Sequence, residues 1–176
     1  MIAATRFPPP TERLTFSQIV EGDLDDLAAL LADPEVMRYY PRPKTREEAR
    51  GWLEWNRGLY AERGFGLWTV RLTATGEYLG DCGLTPQLVE GVTEIEVGYH
   101  VRADRQGRGY ATEAAAACRD HAREVLGVSR LIALIHPDNL PSQRVAEKIG
   151  LGFERTAVSR SGLPVRVHAA RLRPAG

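Results

Sequence analysis

Between Thr93 and Val125 a strictly alternating run, a turn carrying two glycines and an alanine-rich amphipathic run follow one another, and this succession most constrains the fold. In Thr93–Val101 the residues Ile95, Val97, Tyr99 and Val101 fall on one face and Glu94, Glu96, Gly98 and His100 on the other. That is the two-residue period of a strand. Downstream, Ala111, Ala114, Ala115, Cys118, Ala122 and Val125 recur at helical spacing, leaving Glu113, Arg119, Asp120 and Arg123 for the wetter side. The apolar run Arg130–His136 then reads as a buried strand. A strand, a helix and a second strand in this order predict one parallel crossover.

The turn is Gln106-Gly107-Arg108-Gly109-Tyr110-Ala111. Two glycines at a strand-to-helix junction let the backbone turn tightly and approach a ligand closely, so that the first helical amides converge on one anion. A phosphate suits that place, and a plain turn would also explain the pair. The dinucleotide fingerprint is not met, because its third glycine would fall on Thr112, and no Gly-Lys-Ser/Thr phosphate loop occurs in the chain. Arg102, Arg105 and Arg108 flank the turn, and Arg105 or Arg108 is the candidate to meet a phosphate.

Around this centre the chain reads as a single domain over residues 11–176, preceded by a flexible tail over residues 1–10. A strand is predicted at Leu14–Val20, and a helix from Asp23 to before Pro34, with Asp23, Asp25 and Asp26 at the positive end of its dipole. A second helix runs from Thr45, an N-cap with Glu48 three residues on, to about Glu62. Strands at Gly66–Leu72 and Tyr78–Thr85 flank the turn Ala74-Thr75-Gly76. After the central unit come a helix over Leu140–Ile149 and strands at Phe153–Ser159 and Val165–Arg171. The fold class is mixed α/β.

Composition excludes several classes. Lysine plus arginine and aspartate plus glutamate number 23 each, so no global charge draws the chain to nucleic acid or an anionic membrane. No run approaches the roughly 20 apolar residues needed to cross a bilayer, and no secretory leader is apparent, so a cytoplasmic location is expected. Cys82 and Cys118 lie far apart in sequence, which argues against a disulfide, a metal site or cysteine nucleophilic catalysis.

The hexapeptide resembles the cofactor-binding signature of the GNAT N-acetyltransferases, Gln/Arg-x-x-Gly-x-Gly/Ala, met here by Gln106, Gly109 and Ala111. Thr11-Glu-Arg-Leu14, Asp33-Pro-Glu-Val-Met37, Gly64-Phe-Gly-Leu-Trp68, Leu79-Gly-Asp-Cys-Gly-Leu84, Glu96-Val-Gly-Tyr99, Thr112-Glu-Ala114, Asn139-Leu-Pro-Ser142 and Val145-Ala-Glu-Lys-Ile-Gly150 continue the likeness in order and spacing. They are similar to the branch of ribosomal-protein alanine N-acetyltransferases (RimJ/RimL type). The resemblance spans Thr11 to Leu172. It implies an α+β, three-layer architecture: a mixed, mostly antiparallel seven-stranded sheet whose central parallel strands splay apart, with about four helices on its two faces.

The resemblance also implies acetyl-CoA as acetyl donor, with its pyrophosphate on the backbone of Gln106, Gly107, Arg108, Gly109, Tyr110 and Ala111, and its pantetheine arm along Val97, Gly98 and Tyr99. The partner is an amine-bearing acceptor, a protein N-terminus or a small molecule, and the assembly a monomer or homodimer. Direct transfer from sulfur to amine requires no metal. Glu96 is the candidate base; because a carboxylate of ordinary pKa is a poor base for an ammonium, it must act through water, be raised by burial or merely attract the cationic amine, and the water-mediated route is favoured. Glu94 and His100 share its face. A tyrosine seven residues after the motif asparagine is the usual acid of the family, but this chain has Ala146 there. Asn139 and Ser142 match the ribosomal-protein branch instead, with Ser142 as the group that meets the thiolate and Asn139 also able to cap the following helix. Tyr39, Tyr40 and Trp68 are candidates to wall the acceptor pocket. The alternative of another class is a catalytically idle acyl-CoA-binding sensor or interaction module, kept open by the missing tyrosine.

Overall fold

The computed structural model describes residues 6–174. Seven strands form one sheet: β1 (Leu14–Gln18), β2 (Leu67–Leu72), β3 (Tyr78–Val89), β4 (Val92–Val101), β5 (Arg130–Ile135), β6 (Gly152–Val158) and β7 (Pro164–Arg171), in the spatial order β1-β2-β3-β4-β5-β7-β6. All neighbours are antiparallel except β4 and β5, which run parallel through the crossover helix α3 (Tyr110–Glu124). Helices α1 (Leu24–Ala32) and α2 (Arg46–Arg63) cover one face, and α3 and α4 (Leu140–Lys148) the other.

Local chemistry explains the elements. Thr45 accepts from the Glu48 amide and Glu48 accepts from the Thr45 amide, the reciprocal cap that starts α2, and Gly64 at φ 75° ends it. Asn139 accepts from the Ser142 amide and so caps α4, with Pro141 tolerated in its first turn. The alanine face of α3 lets that helix sit close to the sheet: Ala114, Ala115, Cys118 and Ala122 are buried with Val97, Leu131, Ala133 and Ala146 in the main core. Leu24, Leu27, Leu31, Leu53 and Leu67 form the core of the opposite layer.

The largest departures from the expected boundaries are at two places. Strand β3 runs to Val89 rather than Thr85, because the chain turns only at Glu90 and Gly91, both at positive φ. The amino-terminal segment is no loose tail over residues 6–10: Phe7 packs on the main core, Pro8 is buried, and the Arg6 carbonyl accepts from the Trp68 indole. Residues 1–5 of that expected tail lie outside the described residues. Among the described residues, no helix is long and apolar enough to cross a membrane.

The arrangement that positions the site is the parting of β4 from β5. The two strands share a single ladder pair, Glu96 with Ile132, whereas β3 and β4 stay in register from Gly80↔Val101 to Val89↔Val92. The Arg102 amide donates to the Leu79 carbonyl in line with that register. Since antiparallel residues alternate between bonding a neighbour and turning from it, the backbone groups of Val97, Tyr99 and Val101 are directed toward β5. Beyond the Glu96 pair they face the gap.

Candidate active site

A cleft of about 660 Å³ runs through this gap and joins the two faces of the sheet. Its α3/α4 side is lined by the turn before α3, by Tyr99 and by Ser142; its α1/α2 side by Glu96, His100, Tyr39 and Tyr40.

The turn is set by its glycines and braced from a distance. Gly107 and Gly109 hold φ of 75° and 82°, the left-handed region that side chains resist. Arg13 donates to the Arg108 carbonyl at 3.0 Å, pairs with Glu113 at 2.7 Å and lies 4.5 Å from the centre of the Tyr110 ring. Thr11 donates to the same Glu113 carboxylate. Glu113 therefore ties β1 to the first turn of α3 instead of facing solvent. The amides of Gly107, Arg108 and Gly109 donate to no carbonyl among the described residues, and Gly107 and Gly109 line the cleft.

Glu96 sits where the ladder ends. Its Oε2 accepts the Leu134 amide at 2.9 Å, so its carboxylate takes up a β5 donor at the point where the strands part. Burial pushes its pKa up to about 7; the Leu134 amide, the charge of His100 and the polar side chains of Thr85 and Gln87 counteract this only in part. A carboxylate titrating near neutrality is a far better proton acceptor for an ammonium than an ordinary one. On the other face the Tyr99 hydroxyl donates to the Ser142 carbonyl at 2.9 Å and lies 2.8 Å from Ser142 Oγ. Burial holds the Tyr99 phenol above its ordinary value, so it stays protonated.

The chain's residues 13–152 match the family model of the acetyltransferase (GNAT) domain. The chain belongs to the GNAT acetyltransferase family. It is 38% identical over 159 residues to the YkkB protein of Bacillus subtilis, covering 90% of this chain and 92% of that one. It is 28% identical to the YoaA N-acetyltransferase of the same organism, covering 85% and 84%. The crystal structure of an acetyltransferase from Agrobacterium tumefaciens superposes with a TM-score of 0.81 at 28% identity, covering 93% of this chain and 94% of that one. The splayed seven-stranded sheet is thus the fold of this N-acetyltransferase family.

Most of the residues that the sequence singles out meet in this GNAT cleft. Glu96, Val97, Gly98, Tyr99, Gln106, Gly107, Gly109, Tyr110, Ala111, Asn139, Ser142, Tyr39 and Tyr40 all line it. At Gly98 a β-carbon would meet only Leu67 Cδ2, at 3.8 Å, and the β3 to β4 register carries no bulge there. Two expectations change. Trp68 is not brought to the acceptor side: it is wholly buried, stacked edge-on to His121 at 5.4 Å, because its strand position turns it into the core beneath α3. Arg108 lends its backbone to the turn, but its side chain is exposed and does not line the cleft. Arg105 lines the cleft, with its Nε and Nη2 held by Glu77 at 3.0 and 2.7 Å.

Other groups were not foreseen. Arg144 and Lys148 line the cofactor side of the cleft from α4, and their helical spacing of four was the available signal. Asp81 pairs with His100 at 2.6 Å, a contact that depends on the β3 to β4 register. Cys82 and Cys118, far apart in sequence, lie 3.6 Å apart sulfur to sulfur as free, buried thiols. Burial pushes the Cys82 thiol well above its ordinary value, which keeps it from acting as a thiolate.

Proposed function

We propose that this protein moves an acetyl group from acetyl-CoA to a primary amine by direct attack, the amine being a protein N-terminus or a small molecule. The observation that carries the reading is Glu96: a half-buried carboxylate titrating near neutrality, at the point where the two parallel strands part and the two sides of the cleft meet.

The cleft residues fit acetyl-CoA. Free amides at the start of α3, with Arg144 and Lys148 on the same side, suit a pyrophosphate and its charge. The open edge of β4 offers backbone groups at Tyr99 to an extended amide-bearing arm. When bound, acetyl-CoA supplies the electrophilic thioester carbon and a thiolate leaving group. Toward it, the Tyr99 amide acts as the donor for the carbonyl oxygen. Glu96, entered from the α1/α2 side, takes a proton from the acceptor ammonium through water and leaves a neutral amine. When the single Tyr99 hydroxyl proton is given to Ser142 Oγ instead of the Ser142 carbonyl, the Ser142 proton is released to be donated toward the departing sulfur.

Calorimetry with acetyl-CoA tests the binding half. Gly109→Val adds a β-branched side chain at φ 82°, with its β-carbon 3.4 Å from Arg13 Nη2, and fills the space that the phosphates would take. The parent is expected to bind and the variant to lose at least about tenfold in affinity, while strain of roughly 1–2 kcal/mol leaves a folded domain. Equal affinity in a folded variant would refute the assignment of the turn.

A further inference from the structure

Three polar side chains from three elements form a chain that the reaction above does not use. Asp81 of β3 is buried, and its Oδ1 lies 2.6 Å from His100 Nδ1 on β4. His100 Nε2 lies 2.7 Å from the hydroxyl of Tyr40, in the loop between α1 and α2. Tyr40 and His100 line the cleft on the side of Glu96. The Tyr40 hydroxyl has no second hydrogen-bond partner among the described residues.

Only one hydrogen can lie between His100 Nε2 and the Tyr40 oxygen. If the imidazole is neutral with its proton on Nδ1, that hydrogen belongs to Tyr40, and the hydroxyl is spent. If the imidazole is cationic, the hydrogen belongs to Nε2 and the phenolic proton is free to point elsewhere. The surroundings favour the cation. Asp81 carries a second oxygen that is buried without a partner, so its charge has no other counter-ion at hand. Burial pulls His100 toward its neutral form and Lys44 opposes a second cation, yet Asp81, with Glu96 in support, raises its pKa on balance. The Trp52 ring packs edge-on to His100 at 6.0 Å.

We infer that Tyr40 determines acceptor specificity: the Asp81–His100 pair turns its hydroxyl proton into the cleft, where it donates to an oxygen carried beside the acceptor's amine. The acceptor class is then an amine with a neighbouring hydrogen-bond-accepting oxygen, an α-amino carbonyl or a vicinal amino alcohol, rather than a plain alkylamine. This rests on the acetyl-transfer reading. Tyr40 would be the group that touches substrate, and Asp81 and His100 positioning residues behind it.

The test has a spectroscopic and a kinetic arm. Nitrogen–proton NMR of the His100 ring in the ligand-free parent, at about pH 7, is expected to show both nitrogens protonated, and Asp81→Asn to show a neutral ring. Turnover is then compared on an α-amino amide, a vicinal amino alcohol and an alkylamine of like size. Tyr40→Phe should raise KM about tenfold for at least one oxygen-bearing amine, as expected for one lost hydrogen bond to an uncharged group. Its kcat, its KM for acetyl-CoA and its action on the alkylamine should stay within about twofold, whereas a merely structural role would depress all three amines alike. Whichever oxygen-bearing amine responds identifies the source. A neutral His100 in the parent, or unchanged selectivity in Tyr40→Phe, would overturn the inference alone. Acetylation of a polyamine or other amine without such an oxygen, and of none of the oxygen-bearing ones, would overturn this inference alone; failure to acetylate any peptide, amino amide, amino alcohol, polyamine or aminoglycoside would remove the acetyl-transfer reading with it.

Discussion

Replacing Glu96 by glutamine should make the protein less active and more stable at once. The side chain keeps its shape and its carbonyl can still accept the Leu134 amide, so the end of the β4/β5 ladder survives. What disappears is the half-buried negative charge. Glu96 titrates at about 7 against an ordinary 4.5, so the folded protein holds this proton more tightly than the unfolded chain. Stability from that proton is complete below about pH 4.5 and is lost as pH rises through about 7. At 1.36 kcal/mol per pH unit the gap corresponds to roughly 3 kcal/mol above pH 8, an upper bound for a group coupled to His100. Denaturant melts at pH 5 and pH 8.5 should therefore show Glu96→Gln gaining on the parent only at the higher pH, by about 1–3 kcal/mol. In the same samples kcat should fall about 10²-fold or more, with acetyl-CoA affinity retained. The rising limb of the parent's kcat/KM profile, centred near pH 7, should vanish with the carboxylate. A variant with the parent's rate and pH profile, or one that is less stable at pH 8.5, would refute the reasoning.

The Tyr99–Ser142 hydroxyl pair predicts partial redundancy. Ser142→Ala should lower kcat by about tenfold and Tyr99→Phe by a similar factor, and the double variant should cost less than the product of the two, as read in a double-mutant cycle. Strict additivity would separate the hydroxyls functionally. The Cys82 and Cys118 thiols, packed against each other between β3 and α3, should be dispensable for chemistry. Cys82→Ala with Cys118→Ala should keep most of the turnover while losing on the order of 1 kcal/mol of stability per site. An acetylated cysteine whose decay matched product formation would contradict direct transfer.

Legibility in the sequence followed the range of the physics. Local signals placed the elements: the alternation of Thr93–Val101, the cap at Thr45 with Glu48, and the glycine turn before α3 all depend on a few adjacent residues. The residues of the cleft walls were readable for the same reason, since they sit at strand ends and helix starts. What escaped depends on register. Asp81 and His100 are 19 residues apart and meet only because they are cross-strand partners. The clamp of Arg13 and Thr11 on Glu113 spans about 100 residues, and it converts a residue of apparently wet helix surface into the brace of the turn. Trp68 misled because a strand alternates between two faces that are both covered, so an aromatic there points to core as readily as to cleft. The near-neutral Glu96 could not be read from the chain either: its pKa is set by burial at a gap that exists only once β4 and β5 part.

Acceptor-dependent release of CoA, followed together with the mass of the acceptor, tests the central claim most directly. Purified protein with acetyl-CoA should release free CoA when supplied with amines from a panel of peptides, amino amides, amino alcohols, polyamines and aminoglycosides. At least one should yield one N-acetylated product per CoA, at a rate that Glu96→Gln lowers by about 10²-fold or more. If acetyl-CoA bound tightly and yet no amine in the panel released CoA or gained an acetyl group, the transferase account would be contradicted, and the protein would be a binder of the cofactor instead.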